Sequence, residues 1–210
     1  MKATKEDMIE RQLKARGITD PNVLQAMWEI DRALFVPPEM LPHVYEDTPL
    51  PIGKKQTISQ PYIVAYMAQA LHLKPTDVVL EIGTGCGYNA AVLSRIVRHV
   101  YSIEVIEWLA NIARVNLDSA GIENVSTRFG DGFEGWPEAA PFDAIILTAS
   151  PPEIPEPLLD QLKVGGRLLA PVGRETQTLK MIVRTHPGNY ETKKLMPVQF
   201  VPMTGKAQRG

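Results

Sequence analysis

The apolar run Asp77–Ile82 ends in Gly83, Gly85 and Gly87, and a helical stretch from Tyr88 to Val97 follows at once. A strand that must turn through closely spaced glycines into a helix constrains this chain more than any other feature in it. Glycine lets the main chain turn sharply and lets a ligand come close to it. The alternation then continues. His99–Glu104 reads as a strand, Trp108–Ala120 as a helix stopped by Gly121, Val125–Phe129 and Phe142–Thr148 as strands, Leu158–Lys163 as a short helix ending at Gly165-Gly166, and Arg167–Pro171 as a strand. Strands and helices in turn predict a largely parallel sheet covered on both faces. Thr178–Arg184 and Glu191–Phe200 are different, because only the turn His186–Asn189 separates them. So short a connection cannot return a strand in parallel, which makes this pair an antiparallel hairpin at one edge.

Ahead of the sheet the pattern is helical. Met8, Ile9 and Leu13 share a face and Gly17 stops the helix. Asp20-Pro21 reads as an N-cap with proline at the first helical position, and the helix it opens should bury Val23, Leu24, Met27 and Trp28. Phe35–Ile52 carries Pro37, Pro38, Pro42, Pro49 and Pro51 without a steady period, so an irregular connection is expected. Pro61–Leu73 is apolar nearly all round and predicts a buried helix.

Composition narrows the partners. Twenty-two basic against 24 acidic residues leave a net charge of −2, which argues against a protein held to nucleic acid or anionic lipid by bulk charge. The only cysteine is Cys86, and His43, His72, His99 and His186 stand far apart, so neither a disulfide framework nor a metal site is expected. The longest stretch free of Asp, Glu, Lys and Arg, Gln56–Leu73, is too polar for a membrane span, and Met1–Arg16 lacks the apolar core of a signal peptide. A cytoplasmic, monomeric protein is the expectation.

The glycine loop reads G-x-G-x-G, without the dinucleotide spacing and without the Lys-Ser or Lys-Thr of a triphosphate loop. Glu104, about 20 residues on, closes the second strand, where a carboxylate can accept from both hydroxyls of a ribose. Asp131-Gly132 closes the third, where an aspartate and a free N–H could hold an adenine edge. Each alone is as well explained by an exposed carboxylate at a strand end. Together they converge on the crevice where such sheets bind ligands. A nucleoside without phosphates fits best, and S-adenosylmethionine is the obvious candidate. Cys86 in this loop is read as a small filling residue, although a helix N-terminus can lower a thiol's pKa.

Upstream, Gly53–Pro61 packs hydroxyls and an amide just before a helix, so Ser59 or Gln60 could simply cap it. With the whole chain in view the segment reads otherwise. Gln56-Thr-Ile-Ser-Gln-Pro61, Val79-Leu-Glu-Ile-Gly-Thr-Gly-Cys-Gly-Tyr88, Gly130-Asp-Gly132, Gly165-Gly-Arg-Leu168 and Phe200-Val-Pro-Met-Thr204 occur in the order of a known family. The chain resembles the protein-L-isoaspartate O-methyltransferases over nearly its whole length. The resemblance implies an α/β, Rossmann-like methyltransferase: a mostly parallel seven-stranded sheet with an antiparallel C-terminal edge and N-terminal helices. It implies one domain, with residues 1–75 on the substrate side, 76–175 as cofactor-binding core, and 176–210 as hairpin and tail. It further implies methyl transfer from S-adenosylmethionine to the free α-carboxylate of L-isoaspartyl, and possibly D-aspartyl, residues in damaged proteins and peptides.

Carried over residue by residue, Ser59 matches the active-site serine, and Glu81, Gly83, Thr84, Gly85, Gly87, Glu104, Asp131 and Gly132 the cofactor site. Thr57, Ile58, Ser59, Phe200, Val201 and Thr204 match the substrate side. Cys86 stands where serine is usual and Thr148-Ala-Ser150 where an alanine pair is common. The alternatives are a methyltransferase of the same fold acting on RNA or a small metabolite, and a non-catalytic nucleoside-binding module.

Overall fold

The computed structural model describes residues 3–208. Thr4 opens the first helix with a reciprocal cap: Asp7 N–H donates to Thr4 Oγ1 (3.1 Å) and Thr4 N–H to Asp7 Oδ2 (3.1 Å). The chain runs on from Lys5–Asp7 (α1) through a wider turn at Met8–Leu13 and stops at Gly17, whose φ is 90°. Helix α2, Pro21–Glu29, starts as the sequence predicts, with Asp20 Oδ1 accepting from Asn22 N–H (2.9 Å). Val23, Ala26 and Met27 are buried and Leu24 partly so, but Trp28 is 43% exposed. At 100° per residue Trp28 turns off the stripe that Val23, Ala26 and Met27 share. Its ring lies instead beneath Lys5 Nζ, 5.2 Å from the centroid.

The connection expected to be irregular is only partly so. After two 3₁₀ turns, Arg32–Phe35 and Pro38–His43, strand β1 (Leu50–Gly53) pairs antiparallel with β2 (Gln56–Ile58). The turn between them places Lys54 (φ 52°) and Lys55 (φ 59°) in the left-handed region that such two-residue hairpins require. Asn-Gly or Asp-Gly usually announces this turn, and Lys-Lys gives no such signal. Helix α3 follows at Pro61–Ala70 and is buried through Pro61, Ile63, Val64, Ala65, Met67 and Ala68, as an all-apolar helix must be.

The main sheet comprises β3 (Val78–Ile82), β4 (His99–Glu104), β5 (Val125–Phe129), β6 (Phe142–Leu147), β7 (Leu162–Val172), β8 (Gln177–His186) and β9 (Asn189–Val198), in the order β5-β4-β3-β6-β7-β8-β9. The strands from β5 to β7 are parallel; β8 and β9 are antiparallel, as their short turn demands. Helix α4 (Tyr88–Ser94) links β3 to β4 and α5 (Glu107–Ser119) links β4 to β5. Helix α6, Glu156–Asp160, is shorter than predicted, because Leu162 already pairs with Phe142 and Lys163–Gly166 belong to β7. The chain moves outward from β3 through β4 to β5, then returns to the other side of β3 with β6. A crevice therefore opens beyond the carboxyl ends of β3 and β6. No helix among the described residues is long and apolar enough to cross a membrane.

Candidate active site

The crevice is floored by the glycine loop. Gly83, Gly85 and Gly87 have φ of 100°, 57° and 92°, a region costly to any residue with a Cβ. Gly83 is also pinned from above: Thr148 Oγ1 donates to its carbonyl (2.5 Å), and a Cβ at Gly83 would collide with that hydroxyl. Glu104 ends β4 only 5% exposed. Its Oε2 accepts from Gly85 N–H (2.8 Å) and its Oε1 from Ile106 N–H (2.9 Å). Burial raises its pKa, opposed by these N–H groups, and no cation pairs with it among the described residues. Asp131 Oδ1 accepts from Phe133 N–H (3.0 Å) and Oδ2 from Lys206 N–H (2.8 Å), so the C-terminal segment docks on this carboxylate. Gly83, Glu104, Ile106 and Gly132, with Gln56 and Met203, wall a narrow cleft of about 40 Å³.

Glu81, expected in the cofactor set, lies beneath the loop and lines neither that cleft nor the cavities beside it. It is fully buried; Oε1 accepts from Asn89 Nδ2 (2.7 Å) and Oε2 from Ser102 Oγ. Ser102 in turn meets Thr84 Oγ1 at 2.6 Å, so Thr84 joins the same network. Burial pushes the Glu81 carboxyl up to about 7 from an ordinary 4.5. Below pH 4.5 the acid is protonated folded or unfolded. As pH rises toward 7 the unfolded chain ionises while the folded one keeps its proton, so this group's contribution to stability falls and then levels off. Thermal melts of Glu81→Gln should lack that decline; identical pH profiles for variant and wild type would show that Glu81 does not titrate in this range. Cys86, 3% exposed, is pushed up to about 11 by burial, which keeps the thiol protonated and inert.

Beside the cleft is a much larger cavity, of about 490 Å³. Thr57, Ser59, Gln60 and Tyr62 line one side, Met196–Val201 the other, and Thr148 joins them. Thr148 thus touches both the glycine loop and this cavity. Of the expected substrate residues, Thr57, Ser59, Phe200 and Val201 come together here. Ile58 turns inward on β2 to face the glycine loop, and Thr204 lies in the small cleft with Pro202 and Met203. Ser59 does not cap α3, and the N-cap residue Gln60 makes no capping bond. Its Nε2 donates to Asp47 O (2.9 Å) and Oδ2 (2.7 Å), while Tyr62 N–H donates to Asp47 Oδ1 (3.2 Å). Opposite, Gln177 holds Phe200 by both main-chain groups, accepting from its N–H (2.7 Å) and donating to its carbonyl (3.0 Å). Ser150 N–H donates to Val201 O (2.8 Å) and Ser150 O accepts from Met203 N–H (2.8 Å). Both walls are therefore fixed by buried or half-buried polar side chains.

Arg16, Gln60, Tyr62, Thr148 and Met196–Gln199 of the larger cavity, and Gln56 and Met203 of the cleft, are not among the site residues expected from the sequence. Gln60 and Tyr62 could have been found from adjacency to Ser59. Arg16 carries no local signal, because only folding brings it to Tyr62. No group of three or more His, Cys, Asp or Glu suited to a metal occurs among the described residues.

The family model for protein-L-isoaspartate(D-aspartate) O-methyltransferase matches residues 3–208. A protein-L-isoaspartate O-methyltransferase 2 from Pelobacter propionicus is 55% identical over 203 residues, covering 96% of this chain and 90% of its own. A protein-L-isoaspartate O-methyltransferase from a Synechococcus strain is 52% identical over 207 residues, covering 95% and 84%. Among solved structures, a protein-L-isoaspartate O-methyltransferase superposes with a TM-score of 0.88 at 32% identity, over 97% of this chain and 67% of that one. A Plasmodium falciparum protein described as a protein-L-isoaspartate O-methyltransferase, solved with S-adenosyl-L-homocysteine, gives 0.85 at 27% identity, over 96% and 99%.

Proposed function

The chain belongs to the protein-L-isoaspartate(D-aspartate) O-methyltransferase family, and we infer from that membership which of its residues do the family's work. It methylates the free α-carboxylate of L-isoaspartyl residues in damaged proteins, using S-adenosylmethionine. The observation that carries the assignment of roles is Thr148, which bonds the Gly83 carbonyl and also lines the larger cavity. The two spaces meet there, one suited to a nucleoside and one to a peptide.

The residues of the cleft fit the cofactor. Glu104 is its only charged lining residue, so hydroxyls are favoured and phosphates are not. Glu104 holds the ribose, and Asp131 with Gly132 the adenine edge. Gly83, Thr84, Gly85 and Gly87 form the close-fitting floor, and Glu81 braces it from below. Bound there, S-adenosylmethionine presents a methyl group on positively charged sulfur.

The substrate carboxylate needs no base. An α-carboxyl has a pKa of ~3.3–3.7 and is ionised at neutral pH. Ser59 donates a hydrogen bond to one of its oxygens and leaves the other free to attack. A guanidinium or ammonium in that role would hold the lone pairs too tightly. Thr57, Phe200 and Val201 grip the peptide main chain, and alignment of this kind can supply roughly 7–11 kcal/mol in favourable cases. The enzyme acts on protein rather than nucleic acid, with a net charge of −2 that offers no electrostatic footprint for the latter. We place it in the cytoplasm as a monomer, working on D-aspartyl as well as L-isoaspartyl residues.

The direct test is methyl transfer from labelled S-adenosylmethionine to an isoaspartyl peptide, with its aspartyl isomer and an RNA as competing acceptors. Methylation of RNA without the peptide would overturn the reading. Ser59→Ala should lower kcat about tenfold, the low end for a hydrogen bond to a charged group of ~1.5–3 kcal/mol, since the hydroxyl is only half-buried. A loss of a million-fold, or a trapped methylated serine, would instead indicate covalent catalysis by that side chain.

A further inference from the structure

Arg16 is the one charged residue among those lining the 490 Å³ cavity. Gly17, with φ of 90°, ends the first helical segment directly after it and fixes where its side chain leaves the main chain. The guanidinium carbon lies over the Tyr62 ring, 3.5 Å from its centroid, a close cation–π contact. One terminal nitrogen, NH1, pairs with Asp47 Oδ2, and the side chain stays 43% exposed. A guanidinium carries five N–H donors in a rigid fork. Tyr62 and Asp47 therefore hold the group from two sides, while most of its donors meet no protein partner among the described residues.

The reacting carboxylate is not the natural target of those donors. A fixed guanidinium on it would mute the attack that Ser59 and its neutral neighbours permit. Yet the cavity admits more of the peptide than the isoaspartyl residue alone. We propose that Arg16 is a specificity-determining residue that reads a second carboxylate on the substrate, beyond the one that is methylated. That group is either an acidic side chain flanking the isoaspartyl residue or the carboxyl terminus of a short peptide. The inference rests on the isoaspartyl reading of the cavity.

The test uses the full-length protein and paired peptides: Glu against Gln at each position flanking isoaspartate, and a free against an amidated C-terminus. The acidic member of the pair that reaches Arg16 should have a kcat/KM about fivefold higher at low ionic strength, expressed through KM, the scale of a half-exposed ion pair. The advantage should vanish near 1 M salt, where charges are screened within about 3 Å. Arg16→Gln should bring the ratio to one, and Arg16→Lys should keep part of it. The position at which the preference appears identifies the source of the carboxylate. If Arg16 merely braces Asp47, its substitution slows acidic and neutral peptides alike and leaves their ratio untouched. Equal ratios in the wild type, or a preference that survives Arg16→Gln, would overturn the proposal. No methylation of any isoaspartyl peptide would strike the functional reading itself, and this inference with it.

Discussion

Glu104→Ala is expected to weaken S-adenosylmethionine binding by roughly 100-fold or more, a larger effect than any other single substitution in the cleft should have. The carboxylate does two things at once. It accepts from Gly85 and Ile106 N–H and so fixes the glycine loop to the end of β4. Its remaining lone pairs are the only anionic acceptors in the cleft wall. Hydrogen bonds to a charged group are worth ~1.5–3 kcal/mol each, and two ribose hydroxyls would lose theirs together. Two loop N–H groups would lose their partner as well. Glu104→Gln keeps the shape and one acceptor, so its loss should be smaller. Titration calorimetry on folded protein, with melting curves run alongside, separates lost affinity from lost structure. Unchanged affinity in Glu104→Ala would remove this residue from the site.

Selectivity between linkages is the second large effect: an isoaspartyl peptide should be methylated on the order of 100-fold faster than its aspartyl isomer. The α-carboxyl, at ~3.3–3.7, and the aspartyl side chain, at ~3.9, are both ionised at neutral pH, so charge cannot tell them apart. Geometry must. An isoaspartyl linkage routes the main chain through the side-chain carbon and leaves the carboxylate on a shorter arm. The cavity walls are poorly able to follow a different spacing, since Gln177 clamps Phe200 by two bonds and Asp47 holds both Gln60 and Tyr62. A misplacement of about 1 Å can cost on the order of 100-fold in rate. Initial rates on the two isomers of one peptide measure the ratio directly. Comparable rates would mean that the grip on the peptide main chain does not exist.

What the sequence disclosed and what it withheld divide along a physical line. The placement of Gly83, Glu104 and Gly132 around one cleft was legible because strand ends in an alternating α/β chain all open on one crevice. That placement follows from topology, with no need to know which side chains touch. The β1–β2 hairpin was not legible, because its turn is built from two lysines in a backbone region that glycine or asparagine normally marks. Glu81 lies buried beneath the loop, bonded to Asn89 and Ser102: position along β3 says that a side chain is near the loop, not on which side of it. Trp28 is apolar enough for the core, but the helical period turns it out toward solvent. The outer wall of the larger cavity was hardest. Arg16, Tyr62 and Met196–Gln199 meet only in three dimensions, and none carries a local pattern.

Strand β9 forms the outer edge of the sheet, and its composition decides what can pair with it there. An exposed edge offers unpaired N–H and C=O groups to any extended chain. Here Glu191, Thr192, Lys193 and Lys194 are all exposed along that edge, and Pro197 withholds a donor farther on. The register slips between Leu179 and Lys180 opposite Met196 and Lys194, so Leu195 forms a bulge that bends the strand. Charge, proline and bulge together deny a passing polypeptide a template for sheet growth. The edge strand is thus a poor partner for an extended chain even though the sheet ends there in an open strand.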